Sequence, residues 1–249
     1  EQLQKLTGAN VIGAKSDMAI ATAEGYAQHG WNLYLAGRNI KDELAQFVNE
    51  LKNEFDCKVE LLELDILDIK SHSTLFNSFI EKPDGVISFV GLLGDQKKSE
   101  FDYREARNVI DTNFTSIISM LNIFANYYEG IERGFIIGIS SVAGDRGRKS
   151  NYIYGAAKAA FTVYLSGLRN RLNSKNVHVM TVKPGFVDTK MTQNMDLPTL
   201  LTVSPKVVAK KLYKMHEKRV NQFYVPGYWF FIMFIIKLIP ERIFKHLNI

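Results

Sequence analysis

The regular alternation of short apolar runs with helical patterns is the feature that most constrains the fold of this chain. Runs typical of buried strands occupy residues 9–14, 31–38, 58–66, 84–91, 134–140, 177–185 and 222–226. Helical patterns occupy residues 17–30, 41–55, 72–80, 104–128, 156–172 and 204–220. Apolar strands separated by helices are typical of a parallel sheet with helices on both faces. Because such crossovers are right-handed, we predict an α/β fold with a doubly wound parallel sheet of about seven strands.

The composition narrows the class of protein. The 249 residues are 46% hydrophobic and 23% charged, as in a folded globular protein. No repeat or linker divides the chain, so we predict a single domain over residues 1–249. The net charge of +5 is spread among interspersed acids and bases, which gives little support to nucleic-acid binding. Anionic substrates and lipid headgroups stay open as ligands of this mildly basic chain.

Cysteine and histidine usage bears on compartment and metal binding. The single cysteine, Cys57, cannot form an intrachain disulfide, which suits a reducing compartment. The five histidines are scattered without metal-ligand spacing, so we predict no metal site. The first ten residues hold no apolar segment of the signal-peptide kind. We therefore predict a cytoplasmic localisation.

The junction between the first strand and the first helix predicts a phosphate-binding loop. Ligands of a doubly wound sheet bind beyond the carboxyl ends of its strands. Gly13 permits a tight turn there, and a helix N-terminus offers N–H groups to a pyrophosphate. Asp17 could cap its own helix, but it also places an anion near the phosphates. Taken alone, this junction is weak support for dinucleotide binding.

Two basic residues bear on the choice of nicotinamide cofactor. Arg38 follows the second strand, where the adenosine ribose of a bound dinucleotide is expected. An arginine there can bind a 2′-phosphate, whereas an acid favours the 2′-hydroxyl of NAD. Lys15 in the first loop could add a second positive charge, although both residues could equally be solvated surface residues. Together they predict a preference for NADP(H) over NAD(H).

Tyr154 and Lys158 lie four residues apart, at the start of the helix that follows the fifth strand, so they share a helical face. A phenol with a pKa of ~10 is a poor acid–base catalyst at neutral pH, and a neighbouring ammonium lowers that pKa. Ser141 at the end of the fifth strand could hold a carbonyl oxygen, and Asn113 could anchor a water near Lys158. Because roughly one Tyr with a basic residue four positions later is expected by chance, position rather than spacing supports the prediction.

These motifs together resemble the short-chain dehydrogenase/reductase family. Gly13-x-x-x-Asp17-x-Ala19 stands where the family has a loop of three glycines, and SFVG at residues 88–91 keeps only the last residue of the usual NNAG. The resemblance implies a Rossmann-type sheet and a catalytic tetrad of Asn113, Ser141, Tyr154 and Lys158. The cofactor contacts that it implies are Gly13, Lys15, Ser16, Asp17, Met18, Arg38, Asp65, Ile66, Gly91, Tyr154, Lys158, Pro184, Gly185, Val187 and Thr189.

Three further stretches are similar to one branch of that family, the decaprenylphosphoryl-2-keto-ribose reductases. They are GLLGDQ at residues 91–96, SSVAGDRGRKSNYIYG at 140–155 and IPERIFKHLNI at 239–249. The similarity implies NADPH-dependent reduction of a ketone to an alcohol, on a keto-sugar carried by a polyprenyl phosphate. Residues 190–205 would then form a substrate lid.

The C-terminal tail, residues 228–249, holds an apolar run shorter than the ~20 residues of a transmembrane helix. It could lie on the inner face of the membrane, which would make the protein peripheral, or it could form a buried contact within a homo-oligomer. Two other functions stay open. One is reduction of a small carbonyl or 3-oxoacyl substrate, and the other is a non-catalytic NADPH-binding sensor or scaffold.

Overall fold

A central parallel sheet forms the middle layer of the protein, which we describe over residues 7–247 from a computed structural model. The strands are Gly8–Ile12 (β1), Asn32–Gly37 (β2), Val59–Glu63 (β3), Gly85–Ser88 (β4), Gly134–Ile139 (β5), Val177–Pro184 (β6), Phe186–Val187 (β7), Thr202–Val203 (β8) and Gln222–Val225 (β9). Seven of them form the sheet in the order β3-β2-β1-β4-β5-β6-β9, all parallel, whereas β7 and β8 pair separately.

Helices cover both faces of this sheet. They are Asp17–Gln28 (α1), Ile40–Glu43 (α2), Ala45–Glu54 (α3), Ser71–Ser78 (α4), Gln96–Phe101 (α5), Tyr103–Ile110 (α6), Ser116–Ile131 (α7), Tyr152–Leu172 (α8), Pro205–Glu217 (α9), Trp229–Leu238 (α10) and Glu241–Phe244 (α11). Residues of α1, α3 and α9 share one buried cluster with the sheet, and residues of α4, α7 and α8 share the other. The predicted doubly wound fold is confirmed.

The central strands β1, β4, β5 and β6 are almost continuously apolar because both of their faces are buried. Val11 packs into the cluster on one face and Ile12 into the cluster on the other. In β5, Ile137 packs into the first cluster and Ile136 into the second, because successive side chains of a strand point to opposite faces of the sheet. Strand order reverses between β1 and β4, and ligands bind outside such a switch point.

Two predicted helices are interrupted. The pattern at residues 41–55 forms α2 and α3, which are separated at the buried Leu44. The pattern at 104–128 forms α6 and α7 with one π-helical turn, Asp111–Thr115, between them. Periodicity does not reveal a single π-turn, because the extra residue shifts the helical face without breaking the helix, and such turns frequently mark functional sites.

Much of the chain after β6 forms secondary structure and hydrogen bonds with the rest of the protein. Within the predicted lid at residues 190–205, β8 pairs with β7, and the Asp188 amide donates to the Val203 carbonyl. The tail forms α10 and α11, while residues 248 and 249 lie outside the described residues. Over residues 7–247, no helix has both the length and the apolar content that crossing a bilayer requires.

Candidate active site

A cavity of about 480 Å³ opens at the carboxyl ends of the strands beside the switch point. Twelve of the residues predicted to contact a cofactor or substrate line it, namely Gly13, Lys15, Ser16, Asp17, Met18, Arg38, Asp65, Ile66, Gly91, Tyr154, Lys158 and Thr189. The fold therefore brings together residues that follow β1, β2, β3, β4 and β7 with residues from the start of α8. Asn113, Ser141, Pro184, Gly185 and Val187 lie outside this lining.

Gly13 makes the turn that opens the phosphate loop. Its φ of +77° lies in the left-handed region that favours glycine, and a Cβ there would meet the Val90 amide nitrogen at 2.9 Å. The amides of Gly13 and Ala14 both donate to the carbonyl of Ala36, at 2.9 and 3.1 Å. These two hydrogen bonds fix the loop through its backbone. The next element, α1, begins at the cavity, and the N–H groups of its first turn have no partner within the helix.

The charged residues of this loop are committed to contacts within the protein. The Asp17 carboxylate accepts a hydrogen bond from the backbone amide of Lys190, at 2.7 Å across the cavity mouth. The suggestion that Asp17 caps its own helix is wrong, because Asp17 is the first residue of α1 and its oxygen reaches another segment. The Lys15 ammonium forms an ion pair with Glu43 at 2.5 Å, so its charge is already balanced.

Lys158 is deeply buried, with 2% of its surface exposed. Its ammonium donates to the carbonyls of Val90 at 3.2 Å and Ile139 at 3.1 Å, and lies 5.8 Å from the centre of the Tyr154 ring. Burial lowers the pKa of Lys158 to about 7, because the charged form loses its hydration. The predicted side-by-side placement of Tyr154 and Lys158 is present in the structure.

The prediction that the ammonium would lower the Tyr154 pKa is wrong for this structure. Burial raises the pKa of Tyr154 to about 12, and a hydrogen bond with Ser141 opposes that rise only in part. Desolvation dominates because the phenolate would lose water, while the lysine is itself only partly charged near neutral pH. Tyr154 therefore stands as a protonated phenol at neutral pH, the form that can donate a proton, and part of its surface stays accessible.

Ser140 and Ser141 have different surroundings. The Ser141 hydroxyl accepts from the Ala143 amide at 3.1 Å, which caps a short 3-10 turn. The Ser140 hydroxyl is buried and donates to the Lys158 carbonyl at 3.0 Å, which fixes the start of α8 against β5. Ser140 is thus a structural residue, and Ser141 is the serine that interacts with the Tyr154 hydroxyl.

Asn113 holds the loop that follows β4. It lies in the π-helical turn and is fully buried, and its amide donates to the carbonyls of Leu92 at 2.6 Å and Val109 at 2.8 Å. Its oxygen accepts from the Leu92 amide at 3.2 Å. Because a Cβ on Gly91 would lie 3.5 Å from both Asn113 and Lys158, the three residues are adjacent. A water between Asn113 and Lys158 stays a prediction.

Gly185 is required by the packing of the tail. A Cβ there would lie 1.8 Å from Nε1 of Trp229, so the indole lies directly on the glycine backbone. Phe186 packs edge-on against the same indole, with ring centres 5.1 Å apart. The cofactor contacts predicted for Pro184, Gly185 and Val187 stay predictions.

Several lining residues were missed by the sequence analysis. Lys190 and Met191 belong to the predicted lid, and Asn108 and Thr112 come from α6 and the π-helical turn. For Lys190 and Met191, one signal in the sequence pointed to the cavity: they directly follow Thr189, a predicted cofactor contact. Asn108 and Thr112 lie on the helix that carries Asn113, but nothing in their spacing points to a cavity. No group of three or more metal-ligating side chains occurs in the part of the chain that the structure describes.

A buried charged cluster connects the loop after β5 to the sheet. The ammonium of Lys183 and the carboxylate of Asp145 form an ion pair at 2.5 Å, with their side chains 6% and 4% exposed. Tyr224 donates its hydroxyl proton to the other oxygen of Asp145 at 2.6 Å, and its pKa is raised by burial and then by this carboxylate. The cluster joins β6 and β9 to the loop between β5 and α8.

The comparisons with known proteins agree with this geometry. The family model of the short chain dehydrogenases matches residues 8–198. An uncharacterised oxidoreductase of Mycobacterium tuberculosis is 31% identical over 241 residues, or 95% of each chain. A 3-oxoacyl-acyl-carrier-protein reductase of Chlamydia muridarum is 28% identical over 188 residues, or 74% of this chain and 75% of its own.

A solved structure shows the same fold. A short-chain dehydrogenase of Sphingobium yanoikuyae in complex with NADPH has a TM-score of 0.81 at 21% identity, covering 89% of this chain and 88% of its own. The family match spans more than half of the chain and includes the phosphate loop, Tyr154 and Lys158. The chain belongs to the short-chain dehydrogenase/reductase family, as an NAD(P)-dependent oxidoreductase.

Proposed function

We propose that the protein reduces a ketone to an alcohol with NADPH as the hydride donor. The observation that carries the proposal is that the protonated Tyr154 and the buried Lys158 line the same cavity as the phosphate loop. When bound, the nicotinamide supplies the hydride to the carbonyl carbon. Tyr154 donates its phenolic proton to the carbonyl oxygen, and Ser141 holds that oxygen in place.

The residues of the cavity fit a dinucleotide. Gly13, with its φ of +77° and its close contact with the Val90 backbone, makes the turn that brings the start of α1 to the cavity, where a helix N-terminus favours a phosphate. Asp65 and Ile66 line the cavity after β3, on the side expected for adenine. Lys158 would hold the ribose hydroxyls of the nicotinamide half. Its charged form would be favoured by an anionic cofactor, which then helps Tyr154 to give up its proton.

The preference for NADPH rests on Arg38. Its side chain is exposed at the carboxyl end of β2 and lines the cavity, whereas Lys15 is paired with Glu43. We expect the Kd for NADPH to be at least tenfold below that for NADH, and Arg38→Asp to reverse the order. Lys41→Asp changes a neighbouring exposed charge and should leave the ratio unchanged. Equal affinities of the native protein for both cofactors would remove the case for Arg38.

For the substrate we propose a keto-sugar carried by a polyprenyl phosphate. The support is the resemblance of three stretches to the reductases of that branch, together with the surface of the tail. Phe231, Phe234, Ile235 and Leu238 of α10 are 67%, 53%, 62% and 65% exposed. Exposed basic residues flank this apolar face, namely Lys237, Arg242 and Lys245. An apolar face with basic neighbours is typical of a helix that lies in an anionic membrane surface.

Vesicle co-sedimentation tests the membrane contact. We expect the full chain to bind vesicles rich in anionic lipid, and the triple variant Phe231→Asn, Phe234→Asn, Ile235→Asn to stay in solution. The exposed apolar residue Leu200, in the turn before β8 and outside α10, gives a matched control as Leu200→Asn. Removal of the whole tail would be less informative, because it would also remove Trp229 from its packing on Gly185. Equal sedimentation of both variants would contradict the contact.

A second candidate is reduction of a small carbonyl or a 3-oxoacyl thioester. It is favoured by the 28% identity to a 3-oxoacyl-acyl-carrier-protein reductase. Comparison of kcat/KM for an acetoacetyl thioester and for a keto-sugar phosphate, each with NADPH, separates the two. Tight NADPH binding without oxidation of NADPH on any carbonyl of a broad panel would favour the non-catalytic sensor or scaffold.

We also propose that the chain forms a homo-oligomer. Phe101, Tyr103 and Val163 are 91%, 75% and 71% exposed on α5, α6 and α8, which pack against one another. Large apolar side chains exposed on neighbouring helices are typical of subunit contacts. We expect Val163→Asp to lower the molecular mass measured by light scattering. Unchanged mass in this variant would contradict the contact.

A further inference from the structure

The turn that follows β5 is closed by its own hydrogen bonds. The Gly144 amide donates to the Ser141 carbonyl at 3.1 Å, and the Asp145 amide donates to the Val142 carbonyl at 3.2 Å. We call residues 141–145 the serine turn, because Ser141 opens it. Asp145 ends it, so a group that holds the Asp145 side chain also limits where the Ser141 hydroxyl can lie.

The serine turn packs directly on the backbone at the start of α8. A Cβ on Gly144 would lie 2.8 Å from the backbone of Lys158, and a Cβ on Gly155 would lie 2.8 Å from the carbonyl oxygen of Ala143. No side chain separates the two backbones at these points. Because Tyr154 and Lys158 belong to the same two turns of α8, the position of the serine turn sets the position of the serine hydroxyl against the phenol.

Asp145 connects the far end of the serine turn to two adjacent strands. One carboxylate oxygen forms an ion pair with the Lys183 ammonium of β6 at 2.5 Å, and the other accepts from the Tyr224 hydroxyl of β9 at 2.6 Å. Lys183 and Tyr224 are paired neighbours in the sheet. The Asp145 and Lys183 side chains are 4% and 6% exposed. Two donors on neighbouring strands therefore fix both the position and the orientation of this carboxylate.

The strand that holds Asp145 continues into a segment predicted to contact the cofactor. Lys183 directly precedes Pro184 and Gly185, two of those predicted contacts. The Gly185 amide donates to the Val225 carbonyl at 3.0 Å, so this segment is held against β9 as well. Reaction rates fall steeply when reacting groups are misplaced by about 1 Å. The anchor of the serine turn thus lies beside the segment relative to which the serine must be positioned.

Stability alone does not explain a cluster of this kind. Burying two charges costs hydration, and apolar residues of similar volume are often at least as stabilising as a buried ion pair. Burial and then the Asp145 carboxylate raise the pKa of Tyr224, so its hydroxyl remains a hydrogen-bond donor. Hydrogen-bonded charges differ from apolar contacts because they favour a single geometry. The cluster therefore contributes a fixed geometry more than it contributes free energy of folding.

We propose that Asp145 is a positioning residue, which holds the Ser141 hydroxyl at the carbonyl oxygen of the substrate by anchoring the serine turn to Lys183 and Tyr224. Asp145 does not line the cavity, so it acts through Ser141 rather than on the substrate. This inference rests on the proposed function, since it assigns the group that aims Ser141 in the same reaction.

Single-turnover oxidation of bound NADPH measures hydride transfer per occupied site, so unfolded protein does not lower the rate. Asp145→Asn removes the charge and one acceptor oxygen. It should slow hydride transfer roughly thirtyfold, with the Kd for NADPH within about threefold of native. Lys149→Gln is the matched control, because it removes an exposed charge from the same loop, and it should keep the native rate. A native rate in Asp145→Asn would overturn the proposal.

A double-mutant cycle separates positioning from a general loss of structure. If Asp145 acts through Ser141, Asp145→Asn should slow hydride transfer by no more than about twofold in the Ser141→Ala protein. A structural defect would instead multiply the loss that Ser141→Ala causes. Full multiplication of the two losses would therefore contradict the proposal.

A second variant covers the case in which a buried lysine without its partner prevents folding. Asp145→Leu, Lys183→Met and Tyr224→Phe together replace the cluster with apolar side chains and leave no charge of the cluster unpaired. This triple variant should melt within about 5 °C of the native protein, yet transfer hydride as slowly as Asp145→Asn. A stable triple variant with the native rate would show that the ion pair has no role in positioning.

Tyrosine NMR keeps this inference separate from the proposed reaction. The Ser141 hydroxyl forms a hydrogen bond with Tyr154, so the ¹³Cζ resonance of Tyr154, assigned with Tyr154→Phe, reports where that hydroxyl lies. Asp145→Asn should shift this resonance as far as Ser141→Ala does, whereas Lys149→Gln should not shift it. If the shift occurs but no carbonyl is reduced, the positioning role stands and the proposed reaction fails. If the native protein reduces ketones and the resonance does not move, the positioning role alone fails.

Discussion

Two strand-to-helix loops border the site, and they are held in different ways. The loop after β1 runs from Gly13 to Ser16 and is fixed by its own backbone, through a left-handed glycine and two amides that share one carbonyl. The loop after β5, residues 140–151, is fixed by side chains. Asp145 binds Lys183, 38 residues away, and Arg146 binds Glu241, 95 residues away.

The difference follows from what each loop does. A loop whose turn is set by its backbone depends little on side-chain anchors, although Lys15 also pairs with Glu43, and the helix that follows presents its N–H groups to any phosphate. A loop held by charged side chains can position a hydroxyl and a phenol, but only if distant segments are in place. We therefore expect the first loop to tolerate side-chain changes and the second to respond to changes far away in the sequence.

The largest effect is expected at the reacting end of the second loop. Tyr154→Phe removes the proton donor and should lower kcat/KM by about a thousandfold, with the Kd for NADPH unchanged. Steady-state kinetics and a cofactor titration measure the two quantities. Tyr152→Phe is the control, because that tyrosine is 44% exposed two residues earlier and should keep full activity. Turnover by Tyr154→Phe within tenfold of native would contradict the assigned role.

The next effect concerns the anchor of the second loop. Arg146→Ala removes hydrogen bonds from a side chain that is 15% exposed, and should destabilise the docking of α10 and α11 by about 2 kcal/mol. Amide hydrogen exchange of residues 229–244 should accelerate by roughly thirtyfold. Arg242→Ala, an exposed arginine on α11, should leave exchange unchanged. Equal protection in both variants would show that apolar packing alone holds the tail.

A smaller effect is expected at Asp17, the first residue of α1, directly after the first loop. Asp17→Asn keeps an acceptor for the Lys190 amide but removes a negative charge from the cavity wall. The Kd for NADPH should fall by about tenfold at low salt, and the gain should shrink as salt is added. Asp42→Asn, an exposed acid on α2, serves as the control. Weaker NADPH binding by Asp17→Asn would mean that the carboxylate assists the cofactor.

A gradual effect, spread over several pH units, is expected between the two loops, at Lys158. Its folded pKa of about 7 is below the ordinary 10.5, so between these values the unfolded chain holds a proton that the folded protein releases. Stability should therefore rise with pH across this range, by about 1 kcal/mol per pH unit, and this contribution should be absent at lower pH. Urea unfolding should show the rise in the native protein and lose it in Lys158→Met. Parallel pH profiles would contradict the lowered pKa.

The sequence predicted those parts of the site that depend on local geometry. Residues four apart on a helix must share a face, so Tyr154 and Lys158 could be paired from their spacing and their place after a strand. Gly13 follows a buried strand, where a tight turn is required. In contrast, the sign of the Tyr154 pKa shift could not be predicted. It depends on how much protein surrounds the hydroxyl, and composition does not give that.

What the sequence by itself determined is the alternation of strand and helix, hence the doubly wound sheet, and the residues that stand at the ends of its strands. Only the tertiary structure decided that Asp17 reaches Lys190, that Trp229 covers Gly185, and that Arg148 donates to the sulfur of Met233. The physical reason is distance along the chain. Periodicity reports which face of an element is apolar, whereas a contact between remote segments is set by how the packed elements meet.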